Sequence, residues 1–158
     1  MIYRTNTFLY SITALISILV ILSALYIEHV LSTPACKLCL YQRVPYLIAV
    51  IISFFGFFFP KNKIWTYLLI LIFLIGITIS GYHVGIENNI FVEFSGCSVE
   101  NIDLINKSEL LKSLNNNLPN CKDVTFRLFG LSLATINFII SIALAILAIN
   151  YITNEKNR

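Results

Sequence analysis

The chain has 158 residues, of which 58% are hydrophobic and only 12% are charged, and its net charge is +3. A water-soluble domain of this length has no core large enough to bury so much apolar surface, so the composition indicates a protein embedded in lipid. The small net charge comes without a basic patch interleaved with aromatic residues, which argues against nucleic-acid binding.

Four long stretches of the sequence contain no charged residue and no histidine: Thr5–Ile27, Val44–Pro60, Ile64–Tyr82 and Leu128–Asn154. A helix needs about 20 residues to cross the hydrocarbon core of a bilayer. The alternation of a β-barrel strand is absent. We therefore predict one all-α membrane domain over residues 1–158, a bundle of four transmembrane helices at about 7–27, 44–60, 64–82 and 129–151. The first is predicted to be retained, because its apolar core exceeds the roughly 7–15 residues of a signal peptide.

The basic residues predict the orientation of these helices. The two termini and the second loop carry an excess of basic residues, which favours the cytoplasmic side: Arg4, Lys61, Lys63, Lys156 and Arg158, against Glu155 alone. The predicted outer loops are then residues 28–43 and the long extracytoplasmic loop at 83–128, between helices 3 and 4. Pro45 is expected at the start of the second helix. A short helix is predicted at Ser108–Leu114, lying either on the bilayer surface or on the bundle.

All four cysteines, Cys36, Cys39, Cys97 and Cys121, fall on the predicted outer side, where disulfides form and persist. Four cysteines allow two disulfides in three connectivities. The spacing of Cys36 and Cys39 places both sulfurs in one tight turn at a helix start, where the helix dipole and Lys37 would stabilise a thiolate. A disulfide that closes so short a loop stabilises the fold little, because it restrains the unfolded chain only slightly, but it suits thiol–disulfide exchange.

Other roles for the cysteines are less favoured by the sequence. A zinc site normally pairs two CxxC knuckles, and a c-type haem site needs a histidine where Leu40 stands, so no metal site is predicted. For Cys97 and Cys121 alone, structural and redox roles are comparable; the CxxC on the same side favours redox. The competing hypothesis for the whole chain is a non-enzymatic membrane scaffold or transporter subunit with two structural disulfides. The absence of charged residues within the spans counts against transport.

Two further residues are candidates for the binding of an electron acceptor. Arg43 follows Cys39 by about one helical turn, so both project to the same side, and its guanidinium could hold an acceptor oxygen. An arginine at this depth could instead simply extend towards lipid headgroups. His83 could donate a hydrogen bond or a proton to a reduced acceptor, although a lone interfacial histidine is more often structural. Glu28 is expected only to end the first span.

The segment Pro34–Arg43 resembles the P-x-C-x-x-C-x-Y-[EQ]-R signature of the bacterial disulfide bond formation protein B (DsbB) family. The resemblance extends over nearly the whole chain: four spans, a CxxC in the short first outer loop, and two cysteines in the long one. Residues 129–132 also resemble the family's entry to the fourth helix. The related vitamin K epoxide reductases share a four-helix core with a CxxC, but their loop cysteines precede the CxxC.

The resemblance implies a function and assigns roles to the residues. A periplasmic thiol oxidase of the DsbA kind would attack the Cys97–Cys121 disulfide, at Cys97, and electrons would pass to the Cys36–Cys39 disulfide by exchange. Cys39 would then meet a membrane quinone, ubiquinone or menaquinone, and Arg43 would help to bind it. His83 matches a family histidine near the quinone only loosely. The implied location is the bacterial inner membrane.

Overall fold

The computed structural model describes residues 2–92, 121, 126–128 and 130–156, and side chains from residue 7 to residue 154 within those ranges. Its helices are α1 (Ile2–His29), α2 (Lys37–Phe58), α3 (Ile64–Glu87) and α4 (Leu133–Lys156). A two-residue antiparallel ladder, β1 (Arg127–Leu128) and β2 (Leu131–Ser132), precedes α4. The sequence did not predict this ladder. Cys97 and the helix predicted at Ser108–Leu114 lie outside the described residues.

Each of the four helices contains a stretch that is long and apolar enough to cross a bilayer: Thr7–His29, Lys37–Phe58, Ile64–Glu87 and Leu133–Asn154. Large apolar side chains stand exposed along their outer faces, as lipid contact requires. The prediction of an all-helical membrane protein with four spanning helices is therefore confirmed. That residues 1–158 form one domain stays a prediction.

The second helix begins earlier than the uncharged stretch that predicted it. Cys36 is its N-cap residue, and Pro45 lies well inside the helix, so the prediction that Pro45 starts it is wrong. The cause is the cap: the Cys36 sulfur accepts a hydrogen bond from the backbone N–H of Cys39, which nucleates the helix two turns before the proline. Lys37 and Arg43 therefore lie within the helix.

The helices pack in chain order. The pairs α1–α2, α2–α3 and α3–α4 make the main contacts, whereas α1 and α4 hardly touch each other. A buried core lies between the four helices and comprises Tyr10, Tyr46, Ala49, Leu69, Phe73, Leu144 and Ala145. α1 approaches α2 closely at Gly56, where an added Cβ would lie 2.5 Å from the Tyr10 ring. The weak α1–α4 contact leaves space at the cysteine end.

Candidate redox site

The Cys36–Cys39 turn is the centre of the site. Both residues are free thiols, and their sulfurs are 3.0 Å apart. Cys36 is buried, and the hydrogen bond from the Cys39 thiol, followed by the nearby His83, lowers the pKa of Cys36 to about 4 although its burial opposes this. Cys36 is therefore a thiolate at neutral pH, and Cys39 is the thiol that donates to it. This pair is poised to lose two electrons and close into a disulfide.

His83, which is almost fully buried on α3, lies against Cys36. Its Nε2 is 3.8 Å from the Cys36 sulfur and 3.3 Å from the backbone carbonyl of Cys121. Its Nδ1 is 3.0 Å from Nε2 of Gln42. Because the Cys121 carbonyl can only accept, Nε2 of the neutral histidine carries the ring proton. Nδ1 then accepts from the Gln42 amide nitrogen. That N–H faces the Cys36 sulfur and the Cys121 carbonyl.

A chain of two amides continues from His83 to α4. Gln42, which is buried, donates to His83 and accepts through Oε1 from Nδ2 of Asn137, at 3.0 Å. This series of hydrogen bonds links α3, α2 and α4. An amide inside an apolar bundle is costly unless it is paired, and these two largely satisfy each other. The sequence interpretation gave neither residue a role; the signal was an amide on an otherwise apolar span.

Arg43 lies one turn after Cys39, as predicted, and forms an ion pair with Glu28 at 2.5 Å between Nη1 and Oε2. The pair joins α2 to α1, and both side chains are only partly exposed, 17% for Arg43 and 29% for Glu28. Glu28 lies at the end of the first span, as expected, and its carboxylate also holds the Arg43 guanidinium beside Cys39. An arginine fixed in this way has less freedom to extend towards headgroups.

A cavity of about 140 Å³ opens between α1, α2 and α4, where α1 and α4 fail to close against each other. Its polar wall contains both sulfurs and the groups just described: Glu28, Cys36, Cys39, Gln42, Arg43, His83 and Asn137. Its other wall is apolar and includes Val20, Ala24, Ile27, Ile136 and Ile140. The cavity therefore suits a ligand with a polar head and an apolar body.

Cys121 is disulfide-bonded and buried, and it packs in one cluster with Cys36, Leu38 and Ile86. Its partner is neither Cys36 nor Cys39, since both are free thiols. Cys97, the fourth cysteine of the sequence, lies outside the described residues. The structure thus brings five of the predicted site residues together: Cys36, Cys39, Arg43, His83 and Cys121.

The Cys36 and Cys39 sulfurs and a ring nitrogen of His83 all lie within 4.8 Å of one another. Such a group of soft donors would also fit a thiophilic ion such as Zn²⁺. The prediction of no metal site considered cysteine spacing alone and did not include His83. Occupation by an ion would tie up the sulfur atoms that the redox chemistry needs.

Two comparisons with known proteins found similar sequences. The family model described as disulfide bond formation protein DsbB matches residues 6–151. An uncharacterized protein of Rickettsia prowazekii (strain Madrid E) is 26% identical over 137 residues, which cover 83% of this chain and 78% of the relative. The chain belongs to the DsbB family. It is therefore a multi-pass membrane protein of a family of thiol oxidoreductases that act in disulfide bond formation.

Proposed function

We propose that this DsbB family member reoxidises a periplasmic DsbA-like dithiol protein and passes the electrons through two disulfides to a membrane quinone. The observation that carries the proposal is the Cys36 thiolate beside the Cys39 thiol at the wall of an apolar cavity, with Arg43 one turn away. We infer further that the CxxC and the long loop face the periplasm and both termini the cytoplasm.

Electrons enter through the loop disulfide that we assign to Cys97 and Cys121. A thiolate of the reduced partner attacks the Cys97 sulfur, the Cys97–Cys121 bond breaks, and a mixed disulfide forms. The second partner thiolate then attacks its own sulfur in that mixed disulfide and releases Cys97. The partner leaves oxidised, and the loop holds two thiols. Two electrons and two protons have moved from partner to loop.

The loop next reduces the Cys36–Cys39 disulfide. A loop thiolate attacks one of the two sulfurs, and the second loop thiol closes the loop disulfide again, so that Cys36 and Cys39 are left as thiol and thiolate. The described arrangement, with Cys121 in a disulfide and Cys36 and Cys39 free, matches the products of this exchange. The packing of Cys121 against Cys36 supports the short transfer distance that exchange requires.

The last transfer takes place at the cavity, whose residues fit a quinone. When bound, the quinone supplies a two-electron, two-proton acceptor. Arg43 would hold one of its oxygens and stabilise the negative charge that develops there, while the apolar wall accommodates the ring and tail. The Cys36 thiolate and the Cys39 thiol lose two electrons and one proton as they close into the disulfide, and both electrons would go to the bound acceptor. The N–H of His83 stabilises the Cys36 thiolate until then. Water is kept from the thiolate by burial of Cys36.

The test is a coupled assay with the purified full-length protein in detergent micelles. A reduced DsbA-like protein and a short-chain benzoquinone are supplied, and loss of quinone absorbance is followed together with oxidation of the partner. We expect one quinone consumed per partner disulfide formed. A Cys121→Ser variant should accumulate a mixed disulfide through Cys97 without turnover. Quinone consumption that does not depend on the partner, or a mixed disulfide formed through Cys36 instead, would contradict the proposal.

A further inference from the structure

We infer that Asn137 binds the reduced form of the acceptor, its Oδ1 accepting a hydrogen bond from one of the acceptor's two hydroxyl groups. The inference deepens the proposed function, on which it rests, because it adds a contact on α4 to the same cavity. It also explains why one wall of that cavity carries a carbonyl oxygen without a partner.

The orientation of the Asn137 amide follows from the hydrogen-bond chain. Its Nδ2 donates to Oε1 of Gln42, and Nε2 of Gln42 donates to Nδ1 of His83. With the nitrogen committed to Gln42, the Oδ1 atom is the one left over. It is buried and has no hydrogen-bond partner. Asn137 lines the cavity, whereas Ser17 and Ser53, whose buried hydroxyls are also unpaired, do not.

An unpaired buried carbonyl oxygen destabilises the protein until a donor reaches it. The two oxygens of a quinone are acceptors and cannot supply a proton, so an oxidised acceptor gains nothing from Oδ1. A hydroquinone carries two O–H groups, and one of them can donate to Oδ1. The contact is therefore made by the product of electron transfer and not by its oxidised precursor.

Preferential binding of the reduced form favours disulfide formation. In the overall step the Cys36 thiolate and the Cys39 thiol become one disulfide. The acceptor takes up the two electrons, the proton of Cys39 and a second proton from water as two new O–H bonds. A site that binds hydroquinone about tenfold more tightly through this hydrogen bond raises the potential of the bound acceptor by about 30 mV for two electrons. By raising the reduction potential of the bound acceptor, Asn137 makes electron transfer from the Cys36–Cys39 pair more favourable.

The experiment compares the parent with Asn137→Leu, which keeps the branching of the side chain at Cγ and replaces both amide atoms by methyl groups. The matched control is Ser53→Ala, which removes a buried, unpaired oxygen that does not line the cavity. Dissociation constants for a short-chain benzohydroquinone and for its quinone are measured by equilibrium dialysis in micelles, without any thiol partner. All proteins compared carry Cys36→Ser and Cys39→Ser, so that no electrons pass to the quinone during the measurement. The ratio of the two constants does not depend on the fraction of protein that is folded.

We expect Asn137→Leu to weaken hydroquinone binding about tenfold, with the quinone constant nearly unchanged and the Ser53→Ala ratio equal to that of the parent. An unchanged ratio in Asn137→Leu, or no hydroquinone binding to the parent, would overturn the inference. Because binding is measured without turnover, the proposed function can fail separately. Binding that depends on Asn137 in a protein that reduces no quinone would overturn the proposed function and leave this contact standing.

Discussion

The two halves of the bundle both bury polar side chains, but they use them differently. In the half away from the cysteines, Tyr10 and Thr66 share one hydrogen bond of 2.9 Å, closed within the packed core. At the cysteine end, Gln42 belongs to a chain of hydrogen bonds that runs through His83 to Cys36 and ends, at Asn137, on the cavity. A hydrogen bond between two buried core side chains serves packing, whereas a series of linked hydrogen bonds that reaches a cavity can act on a ligand.

The largest effect is expected at Cys39. A Cys39→Ser variant keeps the size of the side chain and its position in the turn but cannot form the disulfide with Cys36. Quinone reduction should fall at least about a thousandfold, to background. The measurement is steady-state quinone absorbance with a reduced DsbA-like partner, and Ser53→Ala, which should keep parental turnover, is the control. If Cys39→Ser turned over near the parental rate, the Cys36–Cys39 pair would not take part in quinone reduction.

The next largest effect on quinone reduction is expected from substitutions in the Arg43–Glu28 ion pair. Arg43→Met keeps most of the apolar stem but loses the guanidinium, so the KM for quinone should rise about tenfold or more. Glu28→Gln leaves Arg43 charged but weakens its anchor on α1, and a rise of about threefold is expected. Both values come from initial rates at varied quinone concentration. An unchanged KM in Arg43→Met would mean that Arg43 only extends towards lipid headgroups.

The hydrogen bonds that link Gln42 to His83 should affect the pKa of Cys36. Gln42→Leu removes the donor that holds His83, so the hydrogen bond from Nε2 to the thiolate weakens, and the pKa of Cys36 should rise from about 4 to about 5. Thiolate absorbance at 240 nm, followed against pH in the reduced protein, measures it. Tyr10→Phe, which lies in the other half, should leave the titration unchanged. A parental curve in Gln42→Leu would show that the chain does not act on Cys36.

The low pKa of Cys36 also predicts how the free energy of unfolding depends on pH. Folding lowers the pKa of Cys36 from the roughly 8.5 of a free thiol to about 4. The group's contribution to the free energy of unfolding is therefore fully present above about pH 8.5 and is lost as the pH falls to about 4. Thermal unfolding of the reduced protein should show this loss. A Cys36→Ser variant, which lacks the thiol, should not show this component.

The smallest effect is expected in the half away from the cysteines. Tyr10→Phe leaves the buried Thr66 hydroxyl without this partner and should lower the free energy of unfolding by about 1 kcal/mol. Turnover should not change, because the pair does not line the cavity. Tyr67→Phe, at a largely exposed tyrosine, is the matched control and should be neutral. A large loss of turnover in Tyr10→Phe would show that the two halves are coupled.

The sequence predicted the coarse architecture well, because about 20 apolar residues in a row have few stable alternatives to a spanning helix. It also placed Arg43 on the same side as Cys39, since one helical turn separates them. It also placed the CxxC at a helix start, which Cys36 as the N-cap of α2 confirms. It began the second span too late, at residue 44, because charged side chains interrupt the apolar stretch without ending the helix. A count of uncharged residues cannot detect a helix that begins at the interface.

The contacts between helices could not be predicted from the sequence. Glu28 meets Arg43, and Asn137 meets Gln42, across 15 and 95 positions of the chain. A single sequence shows that an amide lies in an apolar span and so needs a partner, but it does not show which helix supplies the partner. The short CxxC turn was predictable because its geometry is local, whereas the chain of amides depends on how three helices pack.

The most direct test isolates the last transfer. A variant with Cys97→Ser and Cys121→Ser is reduced, freed of reductant, and mixed with a short-chain benzoquinone in a single turnover, and free thiols and remaining quinone are counted. We expect Cys36 and Cys39 to lose both thiols to one disulfide while one quinone per protein is reduced. If both thiols remain free while excess quinone is present, the Cys36–Cys39 pair does not pass electrons to quinone, and the proposed function is wrong.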